Sequence, residues 1–185
     1  IQGGSHQYVK KIMGASNIDF HLREPVKEIH RMDNQVKLST ITDNYIFDKV
    51  IMASHANETI ELINDLNSQE MEILKAFSYQ ENDVVLHSDT GVLPKNKKAW
   101  AAWNFLLAPN QENTCCLSYN MNILQQIQSN MNLIVSVNQS SMIKKDKIIS
   151  QFNYAHPVYS KQAFASQARQ LQISGKRHTF YCGAY

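Results

Sequence analysis

Glycine is scarce in this 185-residue chain: six residues, at positions 3, 4, 14, 91, 175 and 183. Neither G-x-G-x-x-G nor G-x-x-x-x-G-K-[ST] can be written anywhere, which excludes a self-contained dinucleotide or P-loop site. Cysteine is limited to Cys115, Cys116 and Cys182. That odd, unpaired set argues against a disulfide scaffold and fits a reducing compartment, so cytoplasm is the expected location. Long apolar runs are missing too. The most apolar stretch, Ala99–Ala108, is ten residues with Asn104 inside it, against the roughly 20 needed to cross a bilayer, and no basic, apolar and small-residue series at the start reads as a secretory signal. Charge of one sign is also lacking: 18 Lys plus Arg against 16 Asp plus Glu leave +2, and 43% of residues are hydrophobic. A strongly electrostatic nucleic-acid binder and a disordered chain are both disfavoured, and the chain is large enough for a real core.

Hydrophobic periodicity supplies the elements. After Gly3-Gly4-Ser5, the stripe Tyr8, Val9, Ile12, Met13 predicts a short helix with Ser5 as cap and Gly14 as stop. Period-two alternation predicts strands at Ile18–Leu22, at Val26–Met32 and from Val36, and a continuous apolar core predicts one from Tyr45 to Ser54. Helices are expected over Ala56–Leu66 and Ser68–Phe77. Strands follow at Asp83–Asp89, Ala99–Leu107, Thr114–Met121 and Leu133–Asn138, with a short helix at Asn122–Gln128. Lys161–Leu171 reads as helix and Thr179–Cys182 as a final apolar strand. The sequence stops at Tyr185 directly after that strand, with no polar tail, and so reads as part of a longer chain.

Few residue groupings carry chemistry of their own. Gly3-Gly4 ahead of a helix could set bare backbone N–H groups against a phosphate or a flavin edge, or form a plain helix-entry turn. His87-Ser88-Asp89 with His156 and Arg169 imitates the iron triad of 2-oxoglutarate oxygenases, although Asp89-Thr90-Gly91 equally reads as a strand-ending turn. Trp100-Ala101-Ala102-Trp103-Asn104-Phe105 is the richest aromatic segment. On a strand it sends Trp100 and Asn104 to one side and Trp103 and Phe105 to the other. One face is core; the other, with Tyr119 and Met121, could wall an apolar cavity.

The order of these pieces resembles the flavin-containing amine oxidase superfamily. Gly3-Gly4-Ser5 and its helix, Ile18-Asp19-Phe20, Pro25–Ile29, the Val36 strand, Lys49–Ser54 and Tyr181-Cys182-Gly183 are similar to the second half of its FAD-binding domain. Val85–Thr90, Leu93-Pro94, Ala99–Asn104 and Tyr154–Val158 are similar to its bacterial branch of predicted NAD/FAD-binding proteins. The resemblance implies an α+β architecture: Rossmann-like strands of a partial FAD domain at residues 1–56 and 176–185, and an inserted mixed-sheet substrate domain at 57–175. It implies FAD contacts at Gly3, Gly4, Val26, Ala53, Ser54, His55 and Gly183, and a substrate wall of Trp100, Asn104, Tyr119 and Met121. The family's N-terminal β-α-β unit with its G-x-G-x-x-G has no counterpart here, so FAD is expected in a longer parent and not in this chain alone.

The expected function is therefore part of a FAD-dependent oxidoreductase that moves hydride from a small or apolar substrate to the flavin. The family's early substrate-domain lysine is absent from Tyr79–Asp89, which points away from amine oxidation and leaves open hydride removal from another substrate, such as a C–C or C–N bond of an apolar molecule. The alternatives are a non-catalytic module holding a lipid or other apolar ligand, and the iron oxygenase. A homodimer through an exposed strand edge is the expected assembly.

Overall fold

The computed structural model describes residues 3–15, 17–106 and 116–183. In chain order it contains helix α1 (His6–Ala15), strands β1 (Glu28–Arg31), β2 (Val36–Ser39), β3 (Asn44–Phe47) and β4 (Val50–Met52), and helices α2 (Ala56–Leu62) and α3 (Ser68–Lys75). Strands β5 (Tyr79–His87), β6 (Trp103–Leu106) and β7 (Cys116–Asn120), helix α4 (Met121–Leu124) and strands β8 (Ile134–Val137) and β9 (Ile148–Pro157) follow. Helix α5 (Lys161–Gln167) and strand β10 (Thr179–Tyr181) complete the described α-helices and strands. The expected strand ends at Leu107 and at Thr114-Cys115 lie outside the described residues.

These elements make a mixed α/β fold with three sheets: β1-β2-β3, β10-β4 and β6-β7-β8-β5-β9. They segregate into two compact units, residues 3–15 with 81–156, and residues 17–80 with 157–183. Helices α2 and α3, although they follow β4 in sequence, pack in the same unit as the N-terminal strands.

In the 17–80/157–183 unit, β1, β2 and β3 form an antiparallel meander, while β4 and β10 pair in parallel, Val50 with Thr179 through Met52 with Tyr181. Ile29, Val36, Val50, Met52, Ile73, Leu74 and Tyr181 share one core with Ala56, Ile63 and Phe77. Burying each of the large aliphatic side chains contributes roughly 1.5–3 kcal/mol. Helix α2 ends because Ile63 turns extended and bridges Ile29 of β1. Helix α3 starts from a capping box in which Glu70 N–H donates to Asn67 Oδ1 and Asn67 N–H donates to Glu70 Oε2, both at 2.9 Å.

The expected strand at Ile18–Leu22 does not form. Its alternating residues are exposed and no described strand pairs with them, so the backbone has no ladder to join. The expected Tyr45–Ser54 strand divides at Asp48-Lys49 into β3 and β4, which join different sheets.

The 3–15/81–156 unit is built on the five-stranded sheet. Its buried core is Val85, Val92, Leu93, Ile134 and Ile143, with Trp100 and Ile148 packed against it. Helix α1 buries none of its residues. The longest strand, β9, is missed in the sequence because its residues are exposed or half-buried throughout and no buried face marks it.

Candidate functional site

Two candidate surfaces emerge, one in each unit. In the 17–80/157–183 unit, the parallel pairing of β4 and β10 brings their carboxyl ends side by side, and Cys182 N–H donates to Met52 O at 2.9 Å. Ala53, Ser54 and His55 leave β4 at this end and Gly183 follows β10, so two distant parts of the sequence leave the pair at the same end. In open α/β sheets, ligands bind outside the carboxyl ends of parallel strands.

The local chemistry there is well fixed. Ser54 Oγ and Thr59 Oγ1 lie 2.9 Å apart, His55 N–H donates to Glu58 Oε2 at 3.0 Å, and Ala56 N–H donates to the Tyr79 hydroxyl at 2.7 Å. The His55 ring stacks on Tyr79 with centroids 4.4 Å apart. Burial, partly offset by the Ala56 N–H that the oxygen accepts, keeps the Tyr79 hydroxyl above its ordinary range and therefore protonated. With its first amide taken by Tyr79 and the Glu58 carboxylate at its start, α2 offers no seat for a phosphate. Val26 lies just before β1 and packs on the same core. Gly3 and Gly4 belong to the other unit; both adopt positive φ, +79° and +85°, which glycine alone accepts without strain. Gly4 O accepts from Gln7 N–H at the start of α1.

The second surface is one face of the five-stranded sheet. Register places Trp103 opposite Tyr119, Tyr119 opposite Val135 and Val135 opposite Leu86. The neighbouring row is Phe105, Leu117, Val137 and Val84. Directly paired residues share a face, so these two apolar rows lie together. Trp103 and Phe105 are 62% and 59% exposed, and Trp103 meets Tyr119 edge to face at 5.1 Å.

This register separates residues that alternation had grouped. Trp100 precedes β6 and lies outside it, because Ala101-Ala102 do not continue the strand. Its ring packs on the buried core and its Nε1–H donates to Pro94 O at 2.8 Å. Asn104 pairs with Ser118 on the buried face, and its amide is used by Ala101 O at 2.7 Å and Ala101 N–H at 3.1 Å. Tyr119 lies on the opposite, Trp103 face. Met121 begins α4, and its N–H donates to Leu133 O. Trp103 and Phe105, assigned to the other side in the sequence, are the aromatic residues that accompany Tyr119; the cross-strand register was the missing signal.

The iron arrangement is overturned. Asp89 N–H donates to His87 Nδ1 at 3.1 Å, which leaves the proton on Nε2 to be donated to Ser136 Oγ at 2.8 Å. Asp89 spends its oxygens on Gly91 N–H and Lys144 N–H, and His156 pairs with Asn82. Among the described residues no three His, Cys, Asp or Glu side chains gather to hold a metal ion.

No family model matches the sequence, and no curated protein matches it either. Solved structures do match. A CLA-producing fatty acid isomerase from P. acnes superimposes with a TM-score of 0.68 at 13% identity, over 97% of this chain and 47% of that one. The shared fold is that of about half of the isomerase chain. Putrescine oxidase with putrescine bound gives 0.64 at 10% identity over 98% of this chain and 47% of that one. Cyclohexylamine oxidase from Brevibacterium oxydans IH-35A gives 0.63 at 9%, covering 97% and 47%. This chain therefore spans about half the length of the structures it matches. Among the described residues, no helix is long and apolar enough to cross a membrane.

Proposed function

We infer that this chain is part of a FAD-dependent oxidoreductase that removes hydride from a small or apolar molecule. The observation that carries the reading is the parallel β4/β10 pair, which sets Ala53, Ser54, His55 and Gly183 at one carboxyl terminus. That arrangement fits a flat cofactor: small residues follow both strands, Ala53-Ser54 after β4 and Cys182-Gly183 after β10, and a stacked His55–Tyr79 pair forms a firm border. FAD, when bound, supplies the hydride acceptor.

The chain's own residues bind and orient. Ala53 and Gly183 allow close backbone approach, His55 stays fixed by Tyr79 and Glu58, and Val26 lies toward the adenine end as the family resemblance implies. The pyrophosphate is held elsewhere than at α2, whose first amide and N-terminal charge are already matched. Gly3 and Gly4 lie in the other unit, with unobstructed positive-φ backbone at Gly4, and their cofactor role rests on the family resemblance alone. The substrate wall is the apolar sheet face of Trp103, Phe105, Leu117 and Tyr119, which excludes water from an apolar molecule and offers it no formal charge. Trp100, Asn104 and Met121 support that wall from the buried side and the strand end.

The test is the visible spectrum of the protein purified with this chain in its native polypeptide. A yellow, flavin-loaded protein that bleaches with its substrate is the expected result. A colourless protein that takes up no added FAD overturns the reading. The exposure of Trp103 and Phe105 favours one further reading, a non-catalytic carrier of an apolar ligand. Mass spectrometry of ligand extracted from flavin-free protein would reveal it.

A further inference from the structure

An apolar cleft of about 340 Å³ lies in the 17–80/157–183 unit, lined by Phe77, Pro157, Val158, Tyr159, Phe164 and their neighbours on α5. Its volume falls within the roughly 300–1,000 Å³ range of small-molecule sites. The construction follows from the sequence. Ser160 caps α5, accepting Ala163 N–H on its Oγ at 3.0 Å, so Ser160, Ala163, Phe164 and Gln167 stand at i, i+3, i+4 and i+7 on one helix face. Ala163 is buried and small, which leaves a trough beside Phe164, and buried Phe77 closes its floor. The opposite wall is the 157–160 segment, held by Val158 N–H donating to Ser78 O at 2.9 Å. Tyr159, 90% exposed, stands at the rim.

Charge selects the occupant. Lys161 is the one charged residue among those lining the cleft, and no carboxylate joins it there. An apolar trough with a single ammonium at its mouth matches an apolar body bearing one anionic head. It disfavours a cation, which would meet Lys161, and a strongly polar solute, which would lose hydration against Phe77, Val158 and Phe164. We propose that this cleft binds an apolar monocarboxylate, its chain against Phe77, Val158 and Phe164 and its carboxylate paired with Lys161. The proposal does not rest on the flavin reading, since every residue it uses lies in the cleft.

The probe is dodecanoate, titrated calorimetrically into the purified protein below its micelle concentration, with dodecanol and dodecyltrimethylammonium as controls. Saturable one-to-one binding of dodecanoate is expected, with the cationic amphiphile much weaker. Lys161→Glu, at an exposed helix start where an acidic residue is tolerated, should weaken dodecanoate roughly fivefold, the worth of one exposed ion pair, and leave dodecanol nearly unchanged. Phe164→Asp, also at an exposed position, should weaken both. Unchanged circular dichroism in each variant keeps folding out of the comparison. The proposal is overturned by absent or non-saturable binding, by equal affinity for the cationic amphiphile, or by full affinity in both variants. It is equally overturned if dodecanoate fails to bind while Phe164→Asp dissolves a dimer seen by light scattering, because the cleft would then belong to a second copy of the chain.

Discussion

Arg31 on β1 and Glu70 on α3 form a two-pronged ion pair, Nη1 to Oε1 at 2.6 Å and Nη2 to Oε2 at 3.0 Å, with both side chains almost wholly out of water. Asp65 accepts from Arg31 Nε at 2.8 Å, Tyr181 OH donates to Glu70 Oε1 at 3.1 Å, and Arg177 reaches both Asp65 and Glu70. One network thus ties β1, the start of α3 and β10 together.

Removing Arg31 takes from buried Glu70 its two-pronged partner and leaves it only the longer Arg177 contact for charge. Arg31→Met is therefore expected to destabilise the protein by about 3–5 kcal/mol. Urea unfolding followed by far-ultraviolet circular dichroism measures it. A loss under about 1 kcal/mol would mean the guanidinium is far better solvated than its geometry indicates.

The same network sets an acid limit. Burial pushes the Glu70 carboxyl up, but the Arg31 hydrogen bonds, the Asn67 amide and the Arg31 charge outweigh it and hold the group below its ordinary value. A depressed carboxylate contributes stability that is fully present above the unfolded value of about 4.3 and is lost as pH falls through the folded one. The urea midpoint should fall below about pH 4, and less steeply in Glu70→Gln, whose amide does not titrate.

His87 limits the other unit at higher pH. Burial outweighs the Asp89 charge and lowers its value. The unfolded chain therefore binds the extra proton first, and stability declines as pH drops below about 6.5. Both tryptophans, Trp100 and Trp103, lie in that unit, so tryptophan fluorescence reads it separately. His87→Gln should flatten the decline that begins below about pH 6.5, while an unchanged slope would assign the decline to another group.

Trp100 and Trp103 should respond oppositely to truncation. Trp100→Ala removes a ring packed against the buried core of this unit and a hydrogen bond to Pro94 O, at a cost of about 2–4 kcal/mol. Trp103→Ala strips an exposed ring and should cost under about 1 kcal/mol while reducing affinity for an apolar ligand on the sheet face. Equal destabilisation by the two would contradict the register that separates them.

Much of this layout was legible in the residues. The α1 stripe, both helices after β4 and the β7, β8 and β10 strands follow from period alone. What was not legible depended on partners. Ile18–Leu22 alternates like a strand, yet nothing described pairs with it. Tyr45–Ser54 looked continuous, yet its halves serve an antiparallel meander and a parallel pair. Ala53, Ser54, His55 and Gly183 entered as expected cofactor contacts through a family resemblance and through no local pattern, whereas the Trp103 face required knowing which residue of β7 lies opposite which residue of β6. The Arg31–Glu70 pair left no signal at all, since the two are 39 positions apart and neither belongs to a motif.

The turn before β10 has a consequence for synthesis. Gly175, Arg177 and His178 all take positive φ, at 82°, 49° and 61°. For Arg177 and His178 this left-handed conformation is costly. It is held by contacts to segments made far earlier: Arg177 to Asp65 and Glu70, and His178 to Asp33 O. On a ribosome, residues 17–80 emerge first but lack β10, Tyr181 and Arg177 until residues 81–156 have been made. The 3–15/81–156 unit can therefore fold before the 17–80/157–183 unit is complete. The early segment meanwhile waits with Arg31 and Glu70 short of their last partners, an interval in which a chaperone or premature strand pairing would act on it.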